Sequence, residues 1–144
     1  MTFFSSGKQS NIVIVGCDNY GSCLAEIICN QEEKVSIIDI DGKSFDTFTQ
    51  APISSYVKGD ATDIDVLELA GIRSADILIA ATNSDNINIM IAQIAKKTYH
   101  VNRVIIILED LTKEFLCSEN EIISVSPLIL AMNQLQHLFM KEKK

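Results

Sequence analysis

Short runs of β-branched and aliphatic residues alternate with segments of helical periodicity along the chain. The runs are Ile12–Val15, Val35–Asp39, Ser55–Lys58, Ile77–Ala81, Val104–Leu108 and Ile122–Val125. Most are continuous rather than alternating with polar residues, which suits strands covered on both faces. Between them, residues 21–30 carry Leu24, Ala25, Ile27 and Ile28 at helical spacing. Residues 64–70 carry Val66, Leu67 and Leu69, then stop at Gly71, a fitting glycine for a helix end. Residues 85–98 place Ile87, Met90, Ile91, Ile94 and Ala95 on one stripe, and residues 111–117 carry Leu111, Phe115 and Leu116. The segment after Asp39 is weaker and closes at Pro52.

Strands alternating with helices over short links predict an α/β fold of the Rossmann type. It is a doubly wound parallel sheet in a three-layer αβα sandwich. Right-handed crossovers favour the strand order 3-2-1-4-5-6. Residues 1–10 read as a flexible lead and residues 11–126 as a single domain. Residues 127–144 read as a final helix opened by Pro127 in its first turn. There Leu128, Met132, Leu135 and Phe139 step by four, three and four, and Ile129 and Leu130 widen the apolar surface. Such a helix packs on its own sheet or offers a dimer contact, and its length keeps both readings open.

Composition narrows the partners. Of 144 residues, 47% are hydrophobic and 22% charged, as in one globular domain. The net charge of −7, from 12 Lys and Arg against 19 Asp and Glu, argues against nucleic acid and against unaided docking on an anionic membrane. No aliphatic run approaches the roughly 20 residues that cross a bilayer, so direct membrane insertion is not expected. The first ten residues lack the apolar stretch of a secretory signal. Cys17, Cys23, Cys29 and Cys117 form no Cys-x-x-Cys pair. They read as reduced, buried, small hydrophobes of a cytoplasmic protein. His100 and His137 are isolated, and no metal site is expected.

The candidate chemistry lies where strands end. After the first strand the turn reads Gly16-Cys17-Asp18-Asn19-Tyr20-Gly21. In a G-x-G-x-x-G fingerprint the first glycine makes the tight turn, the second admits a pyrophosphate and the third lets helix and strand pack closely. Asp18 fills the second place. A carboxylate about 5 Å from a phosphate, at an effective dielectric near 20, is repelled by about 3 kcal/mol. Helix N-terminal attraction returns only about 0.3–2 kcal/mol. Asp18 therefore reads first as a helix cap. Asp39 ends the second strand about 20 residues on, where an acid accepts ribose hydroxyls and repels a 2′-phosphate. Asp41 reads as the next cap. Gly59-Asp60-Ala61-Thr62-Asp63 and Ala81-Thr82-Asn83-Ser84-Asp85 follow the third and fourth runs. Each holds a plausible cap, and each falls at the carboxyl edge where such sheets bind ligands.

Those segments, in that order, resemble the nucleotide-binding N-terminal domain of RCK or TrkA-N proteins, which regulate potassium channels and Trk- or Ktr-type potassium transporters. The matching residues are Gly16 and Gly21, Asp39-Ile40-Asp41, Gly59-Asp60-Ala61-Thr62, Ala75-Asp76, Ala81-Thr82 with Asp85 and Asn88, and Ile123 to Pro127. The resemblance covers about residues 11–130. It implies a non-catalytic regulatory domain of ion transport that binds AMP, ADP, ATP or NAD(H) and acts on a membrane potassium channel or transporter subunit. It also implies a homodimer, cytoplasmic and held at the inner membrane face through that partner. By position, Asp39 would hold the ribose, and Ile40, Asp60 and Ala61 would frame the adenine. Thr82 and Asn83 would lie near ribose or phosphate, and Gly16, Asn19 and Gly21 would form the phosphate turn.

Three departures shape that expectation. Asp18 replaces the second glycine, Asn19 stands where many members carry an arginine, and the fifth run continues as Ile106-Ile107-Leu108 where members often show an arginine. All three disfavour polyphosphates and point to an AMP-like monophosphate. Members often continue into a C-terminal ligand-binding domain, which these 144 residues do not contain. Two other readings remain at this point. One is a degenerate assembly module without nucleotide. The other is an NAD-dependent oxidoreductase, for which no Tyr-x-x-x-Lys pair or histidine constellation is present.

Overall fold

The continuous apolar runs form the middle of one sheet. The computed structural model describes residues 7–48 and 52–142, apart from the side chains of Asn19 and Thr47. Most of the expected flexible lead and residues 49–51 lie outside the described residues. The strands are β1 (Asn11–Val15), β2 (Lys34–Asp39), β3 (Ser55–Lys58), β4 (Ile77–Ala80), β5 (Arg103–Ile107) and β6 (Ile123–Val125). All pair in parallel, in the order β3-β2-β1-β4-β5-β6. This is the doubly wound order expected from the sequence, and the winding reverses between β1 and β4.

The helices are α1 (Asn19–Cys29), α2 (Ile64–Leu69), α3 (Asp85–Lys97), α4 (Glu114–Ser118) and α5 (Pro127–Glu142). The weak segment after Asp39 is a 3-10 turn, Gly42–Thr47, and Asp41 caps it by accepting from the Lys43 N–H. Gly71 ends α2 in the left-handed region at φ 89°.

Strand alternation sorts the core into two layers. On one face Ile12, Ile14, Val35, Ile37, Ile77 and Ile79 pack with Ala25 and Cys29 of α1 and with Phe48. Phe45 and Phe48 lean on Tyr56 at ring-centroid distances of 5.1 and 6.0 Å. On the other face Val13, Val15, Ile38, Leu78, Val104 and Ile106 pack with Leu67 of α2, Ile91, Ala92 and Ala95 of α3, and Cys117.

Four sequence expectations change. The strand β5 is fully buried on one face only: Val104 and Ile106 are buried while Arg103, Ile105 and Ile107 are half-buried. The buried stripe of α3 is rotated: Asn88, Ile91, Ala92 and Ala95 face inward, while Ile87 and Met90 are exposed. Cys23 is exposed, unlike the other three cysteines. Finally, α5 has no buried residue, so it does not pack as a lid on its own sheet. Leu128, Met132, Leu135 and Phe139 are all more than half exposed.

Candidate functional site

The glycine turn is built by close approach. Gly16 sits at φ +95°, and a Cβ there would lie 2.6 Å from the Ala81 carbonyl oxygen. A Cβ on Gly21 would lie 1.7 Å from the Gly16 carbonyl oxygen, so only glycine lets α1 rest on the turn. The Gly16 N–H donates to the Ile38 carbonyl at 2.8 Å.

Asp39 pins this turn from the end of β2. Its Oδ2 accepts the Cys17 N–H at 2.6 Å, and its Oδ1 accepts the Asp41 N–H at 2.8 Å. The residue is buried, unlike an ordinary strand-end aspartate in solvent. Its second lone pairs remain the natural acceptors for ligand hydroxyls on the cleft side. Burial, then the Asp39 and Asp18 carboxylates, push the Cys17 thiol up to about 11. Cys17 therefore stays a neutral thiol near pH 7 and is no nucleophile.

The opposite lip is the loop from β4 to α3. Asn88, fully buried, holds it. Its Oδ1 accepts the Thr82 N–H at 3.0 Å and the Thr82 hydroxyl at 2.6 Å. Its Nδ2 donates to the carbonyls of Thr82 (3.2 Å) and Ile107 (3.0 Å), tying the ends of β4 and β5 together. Ser84 caps α3, accepting the Ile87 N–H at 3.3 Å. Asp85 instead reaches the next loop and accepts the N–H groups of Glu109 (2.9 Å) and Asp110 (2.7 Å).

Asp18 occupies the N-cap position of α1, but its side chain makes no capping bond. This corrects the capping role expected for it. Its Oδ2 accepts a hydrogen bond from Asn83 Nδ2 at 3.0 Å, across the two lips. On the third side, Asp60 accepts from the Thr62 N–H and hydroxyl at 2.9 and 2.7 Å, and these bonds hold its carboxyl below the usual carboxylate range. The α2 cap in this string is Asp63, which accepts the Asp65 N–H.

Gly16, Asp18, Asp39, Ile40, Asp60, Ala61, Thr82 and Asn83 line one cleft of about 300 Å³ at the carboxyl edge of the sheet. Gly21 stands behind the turn, under the helix. The side chain of Asn19 lies outside the described residues. Periodicity missed Ile87, which was grouped with the core yet lines the cleft and is 40% exposed. Its position was the available signal, because the first turn of a helix at this edge faces the ligand side. Ile40, 73% exposed, stands on the opposite wall. The two isoleucines and Ala61 give the cleft apolar walls, and the carboxylates give it acceptors.

A cleft at the point where a parallel sheet reverses its winding, bounded by a glycine turn and an acid ending the second strand, defines a Rossmann-type domain with its ligand position open. Residues 12–125 match the family model described as the TrkA-N domain, and the chain belongs to that family. It is 36% identical over 94 residues to the Trk system potassium uptake protein TrkA of Streptomyces coelicolor, a match covering 65% of this chain and 42% of that protein. The chain thus spans less than half the length of this curated relative. Among solved structures, the TrkA-N domain of the inner membrane protein ybaL from Escherichia coli superposes with a TM-score of 0.82 at 17% identity, covering 91% of this chain and 97% of that one. The Kef C-terminal domain of Shewanella denitrificans in its AMP-bound form superposes with a TM-score of 0.73 at 20% identity, covering 90% and 80%. These superpositions establish the same fold. Among the described residues, no helix is long and apolar enough to cross a membrane.

Proposed function

We propose that this chain is a regulatory domain of a potassium transport system that binds an adenine nucleotide and performs no catalysis. The observation that carries the reading is the cleft itself. It brings Asp39, Ile40, Asp60, Ala61, Thr82 and Asn83 together at the switch point of the sheet. In this reading Asp39 accepts the ribose hydroxyls while it holds the glycine turn, so the ligand and the turn share one carboxylate. The adenine lies between Ile40, Ala61 and Ile87, with Asp60 at its edge. Gly16, Asn19 and Gly21 form the turn that meets the phosphate. Membership in the TrkA-N family and the similarity to a potassium uptake protein support the transport role. The AMP-bound Kef domain supports the nucleotide class.

Calorimetric titration with AMP, ADP, ATP and NADH tests this reading. Binding of at least one of them, weakened tenfold or more by Asp39→Ala, is expected. If none binds, the domain is an assembly module without nucleotide, a reading that the acidic lining of the cleft also favours. Hydride transfer from NADH to a carbonyl substrate would instead revive an oxidoreductase. The domain acts as a homodimer through α5, at the inner face of the membrane, where a channel or transporter subunit is its partner.

A further inference from the structure

Among the described residues, three carboxylates line the cleft, those of Asp18, Asp39 and Asp60, and no lysine or arginine does. The three differ in what holds them. Asp39 is engaged by the backbone N–H groups of Cys17 and Asp41. Asp60 is engaged by Thr62, two residues along the chain. Asp18 is engaged across the cleft, by the side-chain amide of Asn83. Both partners are exposed, so water competes for the bond and a ligand can exchange with it. The Asp18 carboxylate is turned toward the opposite lip rather than onto its helix. It stands at the motif position where a glycine would admit the pyrophosphate.

We infer that Asp18 and Asn83 select the ligand by phosphate length, admitting a nucleoside monophosphate and rejecting di- and triphosphates. A single phosphate takes the place of the Asp18 carboxylate as acceptor of the Asn83 amide. A second phosphate meets the displaced carboxylate, with no cationic side chain in the lining to neutralise either. The inference rests on the adenine-nucleotide reading above and names the ligand class within it.

The test is calorimetry with adenosine, AMP, ADP, ATP and NADH, at fixed ionic strength and with EDTA present so that no metal ion bridges the charges. Wild type is compared with Asp18→Asn, Asp18→Gly and Asn83→Ala, and thermal unfolding checks that each variant is folded. Wild type is expected to bind AMP at least about tenfold more tightly than ADP or ATP. Both Asp18 variants are expected to narrow that ratio to about threefold. Asn83→Ala is expected to weaken AMP relative to adenosine. Wild-type binding of ADP or ATP as tight as that of AMP overturns the filter, and so does a ratio unmoved in both Asp18 variants. In those cases adenosine still binds. If adenosine and every nucleotide fail to bind wild type and Asp18→Gly alike, the adenine-nucleotide reading fails and the filter falls with it.

Discussion

Among the described residues, two hollows open at the carboxyl edge of the sheet, and they differ in what lines them. At β1, β2 and β4 the cleft is walled by polar groups already hydrogen-bonded within the chain, with exposed isoleucines at its lips. At β5 and β6 a second hollow of about 440 Å³ is lined by Leu108, Leu111, Val125, Ile129 and Leu130, together with Glu114, Ser124 and Ser126. The root of α5 forms one wall of it, and the rest of that helix carries Met132, Leu135 and Leu138 at half exposure or more. The first opening has fixed acceptors that fit a small polar ligand. The second is lined mainly by aliphatic side chains, with Ser126 already bonded to the Ile129 N–H, and such area has the chemistry of a protein surface. In the proposed reading, recognition and assembly divide this one edge between them. Asn88 and Asp85 stand between them, bonding the cleft loop to Ile107 and to Glu109 and Asp110.

The comparison can be broken from the cleft side first. Gly21→Ala puts a Cβ into the Gly16 carbonyl, and a loss of about 3 kcal/mol or more is expected by urea denaturation, at the upper end of overpacking costs. Parental stability in this variant would mean that α1 does not rest on the turn. Asn88→Ala comes next, at about 2–4 kcal/mol, because it strands buried backbone groups of both openings. Hydrogen exchange should quicken at Thr82–Ser84 and at Ile107–Asp110 together. Faster exchange at only one of the two would show that the openings are independent. On the assembly side, Met132→Glu with Leu135→Glu should change monomer stability by no more than about 0.5 kcal/mol. The same pair should convert a sedimenting dimer to monomer at micromolar concentration. A wild-type chain that sediments as a monomer there would remove the assembly half of the comparison.

The smallest effect concerns Asp60. Hydrogen bonds from Thr62 lower its carboxyl below the ordinary value, so its contribution is present above the unfolded value of about 4 and is lost as pH falls through the folded one. Thr62→Ala should therefore cost a little stability near neutral pH and nothing in strong acid. A cost that persists at low pH would assign the effect to lost packing instead.

Much of this architecture is legible in the chain before folding. The strands β1 and β4 are buried on both faces, and their apolar runs say so, while β2 beyond Lys34 is interrupted only by the half-buried Ser36. The glycine spacing and Asp39 mark the cleft because sterics admit few alternatives there. Hydrophobic periodicity failed where a polar residue is the one turned inward. Asn88 is among the most buried residues of α3, and its four bonds rotate the helix so that Ile87 faces the ligand side. It failed again at β5, whose run reads as buried on both faces although Ile105 and Ile107 are only half-buried. Asp18 was legible by position but not by partner, because Asn83 is 65 residues away in sequence.

The fit of Gly21 against the Gly16 carbonyl has a consequence for how such a domain can change. The path of the turn is fixed by the two glycines at its ends and by the Asp39 carboxylate behind it. The side chain between them at position 18 is exposed, reaches across the cleft to Asn83 and bears none of that framework. Under the proposed reading, one codon alters which metabolite such a domain senses while the scaffold stays as it is, so a new input signal arises without a new fold.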